Sequence, residues 1–246
     1  MISTYDKYPE SFSYQVEMKF DVWGFPVFKY SFENQDKVLE EVLNTTEIVK
    51  PVSVSDEWNG TSMISPPEER NVYIEQEINK CIEKFSKDLN ISGEMLTINQ
   101  CGNENCKDPL SKAYWVNIYK TGQDQGLHWH MTTSKSDFSE SNAMFSFTYF
   151  AKYDHKKDGK FIFVNPSHAT KVFHDWMEIV PEFRPAFIPE VQQGDIIIFP
   201  CFMMHYVDTH TSDDQRITVS GNIHKKIETV CKCDMEFGDS PSLNTP

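Results

Sequence analysis

Hydrophobic rhythm changes near residue 94. Before it, apolar positions recur at helical spacing: Val38, Leu39 and Val42 within 34–43, then Ile74, Ile78, Cys81, Ile82, Phe85 and Leu89. Ser65-Pro66-Pro67-Glu68-Glu69 sets a capping residue, prolines and acids ahead of the second group, as a helix start requires. A strand over Phe25–Tyr30 precedes the first group. After residue 94 the period falls to two. The alternation predicts strands over Leu96–Gln100, Ala113–Lys120, Ala143–Tyr153, Lys160–Val164, Asp195–Phe199, His205–Asp208 and Arg216–Ile223, separated by glycine, proline and asparagine. Many short strands behind a helical third predict a mainly β fold with N-terminal helices, a sandwich or jelly roll carrying the helices on one sheet. Residues 1–246 read as one domain: 22–95 supply a strand and supporting helices, 96–224 the β core, and 225–246 a polar tail.

Composition narrows the function. Twenty-three basic against 37 acidic residues leave a formal charge of −14, which repels phosphate backbones and argues against a nucleic-acid partner. No apolar run approaches the roughly 18 residues of a membrane span, and Met1-Ile2-Ser3-Thr4-Tyr5-Asp6 lacks the basic and apolar regions of a leader. The expectation is a cytoplasmic protein without membrane contact, its oligomeric state left open between monomer and homo-oligomer. Cys101, Cys106, Cys231 and Cys233 offer four thiolates to a structural zinc, but neither pair has the usual two-residue gap, so reduced thiols are the simpler reading.

His128-Trp129-His130 is the sharpest chemical feature. Residues two apart on a strand share a face, so one strand can deliver both imidazoles to one metal. A third ligand is available at His205, just past the apolar strand Gly194-Asp195-Ile196-Ile197-Ile198-Phe199-Pro200. The other histidines, His155, His168, His174, His210 and His224, have no partner at ligand spacing and are expected to be solvent-exposed or hydrogen-bonded.

Arg216 opens Arg216-Ile217-Thr218-Val219-Ser220, whose alternation puts the guanidinium, Thr218 and Ser220 on one face. An inward arginine beside hydroxyls clamps a carboxylate, because burying that charge is costly without an anion. The alternative is a surface arginine paired with Asp213 or Asp214.

Taken together, Tyr114-Trp115-Val116-Asn117, His128-Trp129-His130, Phe147-Thr148-Tyr149-Phe150, Gly194 through Pro200, His205 and Arg216 through Asn222 stand in an order that resembles the 2-oxoglutarate and iron(II)-dependent oxygenases, within a bacterial and phage branch. The resemblance spans roughly residues 113–223, with a weaker match at Phe25-Pro26-Val27-Phe28. It implies a double-stranded β-helix, the jelly-roll barrel of the cupin-like folds, and an oxygenase, most simply a hydroxylase, that consumes 2-oxoglutarate and O2 and releases succinate and CO2. By that resemblance His128 and His205 are iron(II) ligands and Arg216 binds the distal carboxylate of 2-oxoglutarate. Tyr119 and Tyr149 fall where prolyl-hydroxylase relatives place cosubstrate-contacting tyrosines, and Asn117 shares a face with Tyr119. The superfamily's usual third ligand is a carboxylate two residues after the first histidine. Here that position is His130, which implies a three-histidine site, and a carboxylate from Asp124 or Asp137 is the alternative. The substrate, small molecule or protein, is not specified.

Three other readings compete. Gly122 before His128-x-His130, and Gly194 before Pro200 and His205, echo the two cupin motifs, which would make the protein a metal-dependent dioxygenase without 2-oxoglutarate, an isomerase or a small-molecule sensor. Ser134 or Lys135 replaces the glutamate of that pattern, Phe202 replaces a glycine, and Arg216 has no task in it. A two-metal hydrolase would need further ligands after His130, where Met131-Thr132-Thr133 stand. A purely structural module would leave the histidines as core residues.

Overall fold

The computed structural model describes residues 18–48, 52–53, 62–64, 72–98, 114–130, 143–166 and 185–226. In chain order its elements are β1 (Met18–Val22), β2 (Phe25–Ser31), α1 (Gln35–Ile48), β3 (Val52–Ser53), β4 (Ser62–Ile64), α2 (Val72–Asp88), β5 (Leu96–Thr97) and β6 (Tyr114–Tyr119). There follow β7 (Gln125–His128), β8 (Ala143–Lys152), β9 (Phe161–Val164), β10 (Ala186–Phe187), β11 (Asp195–Pro200), β12 (His205–Val207) and β13 (Arg216–Lys225).

The larger sheet runs β1-β2-β11-β8-β13-β6-β4-β3, with β5 also beside β13, and the smaller runs β10-β9-β12-β7. From β6 to β13 the chain passes between the two sheets in the order large, small, large, small, small, large, small, large. That path is the double-stranded β-helix.

Strict alternation on the long strands separates two cores. Phe147, Tyr149 and Ala151 of β8, Ile196 and Ile198 of β11, and Ile217, Val219 and Ile223 of β13 pack against Val38 and Val42 of α1 and Ile74, Ile78 and Phe85 of α2. The opposite face, turned to the small sheet, buries Phe150, Ile197 and Phe199 with Phe161, Phe163 and Val207. The helical layer is pinned to the sheet by Glu77 of α2, which accepts hydrogen bonds from the Glu33 N–H (2.7 Å) and Asn34 Nδ2 (2.8 Å) and pairs with Lys80 (2.7 Å). Burial works against its ionisation, but these partners prevail and hold the carboxyl below its ordinary pKa.

Both helices appear, the first running on to Ile48 instead of ending near Leu43, and seven of the predicted strands lie within two residues of their expected bounds, while Leu96–Gln100 is described only as β5. The capping segment 65–71 and Cys101, Cys106, Cys231 and Cys233 lie outside the described residues. Four short strands have no apolar alternation to announce them: β3, β4, the two-residue β10 and β7, where Gly126 interrupts the run. Among the described residues, no helix is long and apolar enough to cross a membrane.

Candidate active site

His128 ends β7 and His205 opens β12, and the two are directly opposed in an antiparallel pair. The register slips between the pairs His205–His128 and Val207–Gln125, where three residue steps on β7 match two on β12. This bulge turns both Gln125 and His128 inward, as bulges beside active sites do. His130 lies beyond the end of the strand, so strand alternation is not what places it. Its backbone N–H donates instead to the Cys201 carbonyl (3.0 Å) on the loop between β11 and β12. The three rings nevertheless converge: centroids are 4.2 Å apart for His128–His205, 5.3 Å for His128–His130 and 5.1 Å for His130–His205. One ring nitrogen from each lies within 4.8 Å of the others, and this is the only such group of three potential ligands among the described residues.

The tautomers follow from the partners. His128 Nδ1 faces the Gly126 carbonyl and His205 Nδ1 the Met203 carbonyl, each at 2.8 Å. A carbonyl only accepts, so both Nδ1 atoms carry hydrogen and the lone pair of each ring is on Nε2. His130 Nδ1 donates to Asn222 Oδ1 at 2.8 Å, an oxygen that also accepts from Ser146 Oγ at 2.9 Å. All three rings therefore present Nε2. Burial lowers the pKa of each: His205 well below the ordinary value, with His128 and His130 adding to the effect, and His130 to about 4, its hydrogen bond to Asn222 opposing. His128 is lowered by burial against the opposing Gly126 contact. Three neutral imidazoles aimed at one point are a metal-binding set of nitrogen donors. Phe161 stacks on His205 at 5.0 Å, Phe199 meets it edge-on at 5.1 Å, and Trp115 lies 5.5 Å from His130.

Arg216 is fully buried, and Nε, Nη1 and Nη2 have no hydrogen-bond partner. Neither Asp213 nor Asp214 meets it, which excludes the surface ion pair. Its guanidinium lies over the ring of Tyr119 (4.5 Å), with Tyr153 (5.6 Å) and Phe150 (5.8 Å) around it. Cation–π contact offsets part of the burial cost but satisfies no N–H. A buried guanidinium with three open donor atoms fits a carboxylate. Tyr119 Oη donates to Gln125 Oε1 (2.9 Å), and burial raises its pKa while Arg216 pulls it down.

Strand pairing sets Arg216 opposite Tyr119, Thr218 opposite Asn117 and Ser220 opposite Trp115. Asn117 Nδ2 donates to Ser220 Oγ (3.1 Å) and Thr218 Oγ1 (3.5 Å), and Thr148 Oγ1 meets Ser220 Oγ at 3.2 Å. A polar floor thus runs along β13 from Arg216 to Asn222 beside the histidines.

Tyr149 is not part of it. The alternation of β8 turns this residue to the helical layer, stacked on Phe32 at 3.9 Å, while Ser146, Thr148 and Phe150 face the lumen. The expectation that Tyr149 contacts a cosubstrate is corrected by this parity. Asp124 accepts from Thr209 Oγ1 (3.3 Å) in a surface groove of about 380 Å³ and does not join the histidines, and Asp137 is outside the described residues. His210 is buried with Nε2 against the Asp214 carbonyl (2.5 Å), the hydrogen-bonded alternative expected for it, whereas His224 is buried and both its ring nitrogens lack partners. Ser146 and Gln125 were not visible as site residues in the sequence, nor was a role for Asn222. Ser146 and Asn222 sit on the lumen face by parity alone, and no local motif marks them.

Comparison with known proteins accords with this geometry. Residues 113–222 match the family model described as "Putative 2OG-Fe(II) oxygenase". A sequence comparison with curated proteins returns no match. Among solved structures, a Pseudomonas putida prolyl-4-hydroxylase superposes with a TM-score of 0.53 at 11% identity, covering 84% of this chain and 96% of that one. HygX from Streptomyces hygroscopicus, solved with nickel, 2-oxoglutarate and hygromycin B, gives 0.52 at 12% identity over 86% of each chain. A Trichoplax adhaerens prolyl hydroxylase, solved with a hypoxia inducible factor peptide fragment, gives 0.53 at 9% identity over 87% of each. At such identities these structures speak for the shared fold, and it is residues 113–222 that carry the likeness to the 2-oxoglutarate and iron(II)-dependent oxygenases.

Proposed function

We propose that the protein hydroxylates its substrate with iron(II) held by Nε2 of His128, His130 and His205, and with 2-oxoglutarate anchored by Arg216. The observation that carries this reading is the buried, unpartnered guanidinium of Arg216, joined to the three converging imidazoles by a polar floor. When bound, the iron supplies activation of O2 coupled to oxidative decarboxylation, so that 2-oxoglutarate, O2 and R–H become succinate, CO2 and R–OH. The chain's own residues bind and orient. Arg216 offers two parallel donors to the distal carboxylate, Tyr119 and Phe150 wall that end against water, and Asn117, Thr218 and Ser220 line the path toward the metal. Tyr149 has no part in it.

The neighbours were solved with ligands as different as a peptide and hygromycin B, so both a small molecule and a protein side chain stay within the substrate class considered. The reading takes the protein as a cytoplasmic enzyme. Its test is succinate formation from 2-oxoglutarate by protein reconstituted with iron(II) under O2, in the presence of a panel of peptides and metabolites. Succinate that depends on iron and rises with one class of substrate is expected. Substrate consumption without any need for 2-oxoglutarate would instead support the cupin reading.

A further inference from the structure

Two of the three imidazoles are oriented locally. His128 and His205 each donate Nδ1–H to the carbonyl two residues upstream, so the strand that carries the ring also fixes its tautomer. His130 has no such carbonyl. It lies past the end of β7, and its Nδ1–H reaches across the barrel to a side chain 92 positions away in sequence, Asn222 on β13. Asn222 Oδ1 is itself held by Ser146 Oγ on the adjacent strand β8, directly opposite in register. Ser146 Oγ also lies 3.0 Å from His130 Nδ1, so the hydroxyl and the Asn222 oxygen together face that ring nitrogen.

A carboxylate at position 130 would need little of this support, because either of its oxygens can ligate. An imidazole ligates through one nitrogen only and is lost if the ring turns or takes the other tautomer. Resting on the three-histidine reading, we propose that Asn222, braced by Ser146, is the positioning residue that makes His130 serve as the third ligand. Its neutral amide supplies an acceptor without adding a charge beside the metal, so the protein's ligand set stays neutral. Substitutions at oxygens that orient metal-bound histidines cost roughly 10–100-fold in metal affinity.

The experiment is cobalt(II) titration of the full chain, followed by direct affinity and by the visible ligand-field absorption, with 2-oxoglutarate absent. Asn222→Leu keeps the volume and removes the acceptor. It is expected to bind cobalt(II) roughly 10–100-fold more weakly, with an altered visible spectrum. Asn222→Asp restores an acceptor at the same place and is expected to recover parental affinity or better. A purely structural role would lower the melting temperature of the leucine variant without moving the spectrum of its bound metal, and that result would overturn the proposal, as would parental affinity in Asn222→Leu. Should the leucine variant fail to fold, Ser146→Ala decides: it removes both the brace on Asn222 and the hydroxyl 3.0 Å from His130 Nδ1, and an unchanged spectrum and affinity would overturn the role equally. Failure of the parent chain to bind cobalt(II) would sink the three-histidine reading itself, and the positioning role with it.

Discussion

His224 and His130 have rings that burial pushes down to about 4, with Asn222 partly opposing the shift at His130. In the unfolded chain each titrates near 6.5. Between those values the unfolded state binds more protons than the folded one, so stability falls as pH drops from about 6.5 toward 4 and is fully present above that window. His224 has no partner on either nitrogen, so His224→Phe removes its share of the acid sensitivity without stranding a polar neighbour. Urea midpoints of the metal-free protein at pH 7.5 and 5.0 check this. The variant should lose less stability than the parent on acidification, and identical losses would show that His224 does not titrate as the buried geometry requires. At the proposed ligands, alanine at His128, His130 or His205 should sharply reduce iron content after anaerobic reconstitution, while His130→Asp should retain it. Unchanged iron in all three alanine variants would contradict the ligand set. His128 and His205 could be read from the sequence because each follows a recognisable pattern. Asn222 as the partner of His130 could not, since 92 residues separate them and only the folded barrel joins them.

Element by element, the legible parts were those whose side chains alternate or recur over several positions. β8, β11 and β13 are long and buried on both faces, and α2 shows five apolar positions on one side, with Leu89 just past its end. β7 was hidden because its bulge breaks the period, and the same bulge is what brings Gln125 and His128 to one side. Tyr149 shows the cost of placing a residue by motif without its parity: neighbouring positions on β8 serve opposite cores. The loop that leads from β12 to Arg216 is seated on Gly159, where an added Cβ would lie 2.2 Å from the Asp208 carbonyl oxygen. Backbone cannot give way there as a flexible side chain would. Gly159→Ala is therefore expected to destabilise the fold by about 1–3 kcal/mol, read as a lowered urea midpoint. It should also weaken 2-oxoglutarate binding more than metal binding, because the strain falls on the arginine side of the barrel. An alanine variant as stable as the parent would show that this loop is not held by that contact.

On the scale of the whole molecule, the two sheets divide the labour. The small sheet and its bulge bring two imidazoles to the mouth, and the large sheet contributes Arg216, the polar floor and Asn222. In the proposed site the three imidazole ligands are neutral and Arg216 is cationic, so a dianionic 2-oxoglutarate would supply the negative charge for both ends. The most direct test is calorimetric titration of 2-oxoglutarate into the anaerobic manganese(II) form of the parent, Arg216→Lys and Arg216→Ala. Charge-assisted hydrogen bonds contribute roughly 1.5–3 kcal/mol each, so loss of the bidentate pair should weaken binding by at least about tenfold. Lysine, which keeps the charge but not the fork, should fall between parent and alanine. Manganese should remain bound in all three. Equal 2-oxoglutarate affinity across the series, or none in a well-folded parent that holds manganese, would contradict the account.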